Sequence, residues 1–95
     1  MRITTHPGEM LLEEFMKPGG LSANALARHI HVPANRISDI VRGRRGMTAD
    51  TARRLAAYFG NTPQFWINLQ TNYDLSVAES EHAAEYAKIE AMKVA

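Results

Sequence analysis

Apolar residues return every three or four positions along most of the chain and almost nowhere alternate one by one. That rhythm predicts helices and gives strands almost no signal. In "PGEMLLEEFMK", Met10, Leu11, Phe15 and Met16 fall near one face. Acids stand at its start and Lys17 at its end, an order that suits the helix dipole. Pro7 fits a first helical turn, and Pro18-Gly19-Gly20 stops the helix. Ser22 reads as the N-cap of "ANALARHI", with Leu26, Ala27 and Ile30 inward. Pro33 reopens a helix, "PANRISDIVR", with Ile37, Ile40 and Val41 inward and Gly43 as a left-handed end. Thr48 caps "ADTARRLAAYF", whose inner face is Ala52, Leu55, Ala56 and Phe59, and Gly60 closes it. Thr62-Pro63 leads "PQFWINLQTNY". Ser76 and Glu79 have the spacing of a capping box, which opens a last, alanine-rich helix to about Lys93. The pattern predicts an all-α chain: a compact helical domain over residues 1–75 and an acidic, alanine-rich helix over 76–95.

The second and third helices are separated only by His31 and Val32. Two helices joined so tightly cross steeply, as in a helix-turn-helix. Ala27 is small where the backbones must approach, and Val32, Ile37 and Ile40 form apolar pegs under the second helix. With the pegs inward, Ala34, Asn35, Arg36, Ser38, Asp39 and Arg42 remain outside. That face is short and polar at its N-terminal end and cationic at its C-terminal end, which suits a helix that enters the major groove N-terminus first. Arg42, Arg44 and Arg45 flank Gly43 just past this helix, where a phosphate strand would run.

Charge strengthens this reading. The formal net charge of the 95 residues is only +1. From Arg28 to Arg54, however, seven arginines face Asp39 and Asp50, a local +5, while from Gln70 onward five acids face two lysines, a local −3. The middle attracts anions and the tail does not. Every cation of the middle is arginine, the side chain suited to forked contacts with phosphate and guanine. Taken alone, "RGRR" would be a solvated charge run on a helix C-terminus. The short turn and the pegs favour DNA binding.

"LSANALARHIHVPANRISDIVRGRRGMTADTARRLAAYFG" resembles the Cro/C1-type helix-turn-helix domain of phage and bacterial repressors. With "HPGEMLLEEF" before it and "PQFWINLQTNYDL" after it, roughly residues 5–77 resemble the HigA/VapI group of antitoxins. The resemblance implies a five-helix, lambda-repressor-like fold with an extra C-terminal helix. It implies base reading by Ala34, Asn35 and Asp39, with Arg36 and Ser38 beside them. Ser22, Asn24, Arg42, Arg44 and Arg45 would hold phosphate. The partners it implies are operator DNA, a second copy of the chain and a HigB-like, messenger-RNA-cleaving toxin, with repression of the chain's own operon. His31 departs from the pattern, because the family often has glycine at that positive-φ position. Histidine is among the residues enriched there, so strain is expected and not a different fold.

Other constellations carry less. With no cysteine there is neither a disulfide framework nor a zinc-thiolate site, which fits a reducing cytoplasm. No apolar run approaches the ~20 residues of a membrane span, and "MRITTHPGE" does not open as a signal peptide. His6, His29, His31 and His82 lack metal-ligand spacing, and no cofactor is expected. No nucleophile elbow or phosphate loop points to an enzyme. Glu9, Glu13 and Glu14 read as a solvated face. In "FWINLQTNYDL", Phe65 and Leu69 are expected in the core, and Trp66 either there or at a face between two copies. Tyr86, Ile89 and Met92 would dock the last helix on the domain or on a partner. The expected function is a DNA-binding antitoxin. The alternatives are a plain repressor and a protein-interaction module, and the outward arginines disfavour the latter.

Overall fold

A computed structural model describes residues 4–93 and folds them into five helices with no strand among them: α1 (Pro7–Met10), α2 (Ala23–Ile30), α3 (Ala34–Val41), α4 (Ala49–Phe59) and α5 (Pro63–Tyr86). His6 caps α1 through its side chain: Nδ1 accepts the Gly8 N–H at 2.9 Å. The ring also meets Tyr73 edge-on at 4.9 Å. Partial burial lowers the pKa of His6 from its ordinary value, against the pull of Asp74, which favours the neutral ring that the cap requires.

Beyond Met10 the helix widens. Residues Leu11–Met16 form a π-helical turn, in which the Lys17 N–H donates to the Leu12 carbonyl at 2.9 Å. The pattern predicts one regular helix here, and the difference has a packing reason. Leu11 and Met16 are both buried, and in a regular α-helix residues five apart diverge by roughly 140° around the axis. The wider turn brings both onto one side. Phe15 beside them packs at 5.0 Å from Phe59 and 4.8 Å from Trp66.

The remaining caps follow the sequence. The side chains of Ser22, Thr48 and Thr62 accept the N–H groups of Ala25, Thr51 and Phe65 at 3.1, 3.3 and 3.2 Å. Gly60 ends α4 in the left-handed region, at φ 75°. The expected capping box at Ser76 is not made. Ser76 is buried inside α5, its Oγ donates to the Tyr73 carbonyl at 2.8 Å, and it accepts the Thr4 N–H at 3.0 Å. No glycine or proline follows Pro63 to interrupt the helix, so the backbone runs straight through and the hydroxyl bonds back within its own helix. The extra C-terminal helix is thus the outer half of α5. It ends at Tyr86, not near Lys93, and the expected boundary at 75/76 falls within it.

Leu11, Leu26, Ile37, Ile40, Leu55 and Trp66 form the fully buried core. Trp66 is completely enclosed, and its indole N–H donates to Asn61 Oδ1 at 2.9 Å. It belongs to the single-chain core and not to a face between copies. Phe65, expected inside, is 36% exposed, and Leu75 is 64% exposed. The buried stripe of α5 passes through Trp66, Tyr73 and Ser76, which turns Phe65 and Leu75 away from it.

Candidate nucleic-acid interface

His31 makes the turn possible. It sits in the left-handed region at φ 61°, ψ 49°, and is the one non-glycine residue with positive φ among those described. The Val32 N–H reaches back to the Ala27 carbonyl at 3.0 Å, closing the end of α2 in a Schellman-type turn. Ala27 is 1% exposed, and Ile37 and Ile40 are fully buried, so α3 lies with its apolar stripe on the core.

The opposite face of α3 is therefore fixed. Ala34 and Asn35 are exposed at its start, and Arg36, Ser38 and Asp39 are half-buried along it. Arg42, Arg44 and Arg45 are exposed at its end. Ser22 and Asn24 are exposed at the start of α2, where the Ser22 oxygen is already engaged in capping. The segment after α3 folds back onto it: the N–H groups of Arg44 and Arg45 both donate to the Asp39 carbonyl, at 2.8 and 3.2 Å. Arg45 Nη2 also stands 3.8 Å from the Asp39 carboxylate. Gly43, at φ 75°, supplies the left-handed conformation that this reversal needs.

Two contacts from distant parts of the chain hold the arginines. Gln70 of α5 accepts the Met47 N–H through Oε1 at 2.6 Å and donates through Nε2 to Asp74 at 2.9 Å. It thereby pins the loop that carries Arg44 and Arg45, and Gly46 packs directly on its amide. On the other side, Asp50 Oδ2 accepts Arg54 Nε at 2.9 Å and Arg36 Nη1 at 2.6 Å. The Arg54 hydrogen bond foremost, and then that of Arg36, hold the Asp50 carboxyl below the ordinary aspartate range. A cleft of about 300 Å³ opens beside them, lined by Arg36, Arg45, Thr48, Asp50 and Thr51.

The arrangement can grip a polyanion along one face and present short polar side chains to whatever lies between its charges. Among the described residues, no three His, Asp or Glu side chains are grouped so as to hold a metal ion, and no helix is long and apolar enough to cross a membrane.

Comparison with known proteins gives the same picture. The helix-turn-helix family model matches residues 12–66. A solved structure of the Pseudomonas aeruginosa antitoxin HigA with the higBA promoter superposes with a TM-score of 0.89 at 42% identity, covering 94% of this chain and 98% of that one. Virulence-associated protein I of Dichelobacter nodosus is 59% identical over 76 residues, 80% of this chain and 70% of that protein. The chain belongs to the HigA/VapI group of helix-turn-helix proteins. A further relative, antitoxin HigA-1 of Vibrio cholerae, is 46% identical over 68 residues, 72% of this chain and 64% of that protein.

Within this HigA/VapI chain, sequence spacing places α3 and its arginines but misses what steadies them. Arg36 reads as an outward residue beside the base readers, and the sequence does not show that it is tied to Asp50. Asp50 reads as a first-turn acid of α4, Arg54 as a member of the basic region and Gln70 as an unremarked polar position. The Asp50–Arg54 and Gln70–Asp74 pairs have local i,i+4 spacing, but the contacts that reach Arg36, the end of α2 and Met47 span 14 to 24 residues and carry no local signal.

Proposed function

We propose that this HigA/VapI-type chain is the antitoxin of a toxin–antitoxin pair. As a dimer it binds the operator of its own operon, and it neutralises a HigB-like, messenger-RNA-cleaving toxin. The observation that carries the DNA half is the α3 face, with its polar start and its cationic end held against the helix by Asp39. The likeness over nearly the whole chain to an antitoxin HigA solved with promoter DNA supports the rest. Ala34, Asn35 and Asp39 meet base edges, with Arg36 and Ser38 beside them. Ser22, Asn24, Arg42, Arg44 and Arg45 hold phosphates. The helix-turn-helix with the inner half of α5 is the DNA-binding unit, and the outer half of α5 continues from it without a break. One short helix reads few base pairs, so two copies on paired half-sites supply useful specificity. The setting is the cytoplasm, and the role is binding rather than catalysis.

Operator and random duplexes, titrated at several salt concentrations, test the DNA half. Asn35→Ala costs ~1–3 kcal/mol on the operator and little on random DNA. Arg44→Ala weakens binding to both and lowers the salt slope by about one. Equal losses on the two duplexes for Asn35→Ala would remove it from the base readers.

A nuclease that acts on ribosome-bound message is expected to be cationic, so the arginine face has the wrong sign to attract it. The acids have the right sign. Glu13 and Glu14 are exposed beside a shallow cleft of about 210 Å³ that Thr5, Glu9 and Met10 complete. Glu85 and Glu90 are exposed at the far end. With the toxin encoded beside this chain, charge reversal at Glu85 and Glu90, or at Glu13 and Glu14, slows association in a salt-dependent way and leaves operator affinity unchanged. Competition between toxin and operator, with Arg44→Glu abolishing both, would overturn the separate-face arrangement. An adjacent gene product that neither binds nor arrests growth would leave a plain repressor.

A further inference from the structure

Arg36 is the arginine that lies within α3 itself, and it is not free to swing. Its Nη1 donates to Asp50 Oδ2, and the same oxygen takes Arg54 Nε. Arg54 Nη1 in turn donates to the carbonyls of Ile30 and His31 at 2.9 and 3.3 Å, the last turn of α2 and the start of the tight connection. One carboxylate on α4 thus joins the groove-facing helix to the helix before it.

Stability does not account for this arrangement. The Asp50 side chain is 56% exposed, and ion pairs so open to water contribute little. Affinity argues against it, because a carboxylate on a face meant for phosphate repels its target. What the contact does supply is direction. A guanidinium is a rigid, planar fork of five N–H donors. With Nη1 committed to Asp50, the rest of the fork is held in one orientation. The acceptor pair of a guanine edge, O6 and N7, fits such a fork.

We propose that Asp50 is a specificity-determining positioning residue, which fixes the Arg36 guanidinium so that its free donors meet a guanine edge in the major groove, at a cost in overall DNA affinity. The proposal rests on α3 being the groove-reading helix.

The sign of the effect tests it. On random duplex DNA, Asp50→Ala binds a few-fold tighter, because a repelling charge is gone. On the operator it binds about tenfold more weakly, an effect within the coupling range of neighbouring residues. In an Arg36→Ala background, Asp50→Ala no longer weakens operator binding and tightens both duplexes alike. Asp50→Glu, which restores the carboxylate, recovers most of the operator preference, and melting curves for every variant show that the fold is kept. Tightening of operator and random DNA together in the single variant would reduce Asp50 to a repelling charge and overturn the proposal. Equal weakening of both, with a lowered melting temperature, would make it only a support for α4 and overturn it too. Equal weakening without a change in melting would place Arg36 on a phosphate, with the same consequence. Wild-type operator binding by Arg36→Ala would also end it. Losses at Asn35→Ala and Arg44→Ala would then leave the groove-reading role of α3 standing, whereas normal binding by those variants as well would end that reading.

Discussion

Gly8→Ala loses about 3 kcal/mol of stability, the upper part of the range for overpacking a close contact. For a chain of this size that lowers the melting temperature by roughly 12–24 °C. The added Cβ would fall on the Ile40 carbonyl oxygen and 2.6 Å from its carbon. These are backbone atoms of α3, so no side chain can rotate aside. Either α1 lifts off α3 or α3 shifts on the core. The second outcome moves the α3 residues proposed to face the groove, so operator affinity is expected to fall as well, even well below the melting transition. Thermal unfolding followed by circular dichroism, paired with operator titration at low temperature, checks both parts. A loss below about 1 kcal/mol would show that the two helices can separate at little cost.

Trp66→Ala costs about 3–5 kcal/mol, because it empties the largest enclosed site in the core. It also leaves Asn61 Oδ1 without the indole donor. Trp66→Phe refills much of the volume and recovers part of the loss, but not the hydrogen bond. Concentration dependence distinguishes this from an interface effect. A core residue lowers stability by the same amount at every protein concentration, whereas an interface residue acts through dimer mass action. Denaturant midpoints across a hundredfold range of concentration decide between them.

The elements were legible where their causes are local. Ser22, Thr48 and Thr62 announce helix starts because the cap and the N–H it satisfies lie three residues apart. The positive φ of His31 was legible through the resemblance, because the family often has glycine at that position. Local spacing misled at Ser76. Its spacing to Glu79 is that of a cap, yet a helix with nothing to stop it does not restart. In α5 the expected Leu69 packs on the core, but Trp66 and not Phe65 fills its centre, since both are large and only packing decides which one turns inward. Gly8 carried a faint signal: glycine inside a helix costs ~1 kcal/mol against alanine, which asks for a close approach in return. The outward residues of α3 followed from subtracting its pegs, and Asp50 with Arg54 has i,i+4 spacing within α4, whereas the links from Asp50 to Arg36, from Arg54 to the end of α2 and from Gln70 to Met47 exist only once the helices are packed.

In mechanical terms, α5 is a beam. Its 24 residues span about 36 Å without a joint. Thr4 is fastened to it at Ser76, His6 lies against Tyr73, and the Met47 N–H hangs from Gln70. A hinge at Ser76 would have let the outer half move on its own. The continuous rod instead carries torque or tilt at the far end to Gln70, and from there to the loop holding Arg44 and Arg45. Any load on the last three turns that favours one setting of the beam is felt at that loop. Were ligands to bind both at the far end and at the arginine face, any coupling through the beam would be reciprocal, each changing the other's affinity by the same factor.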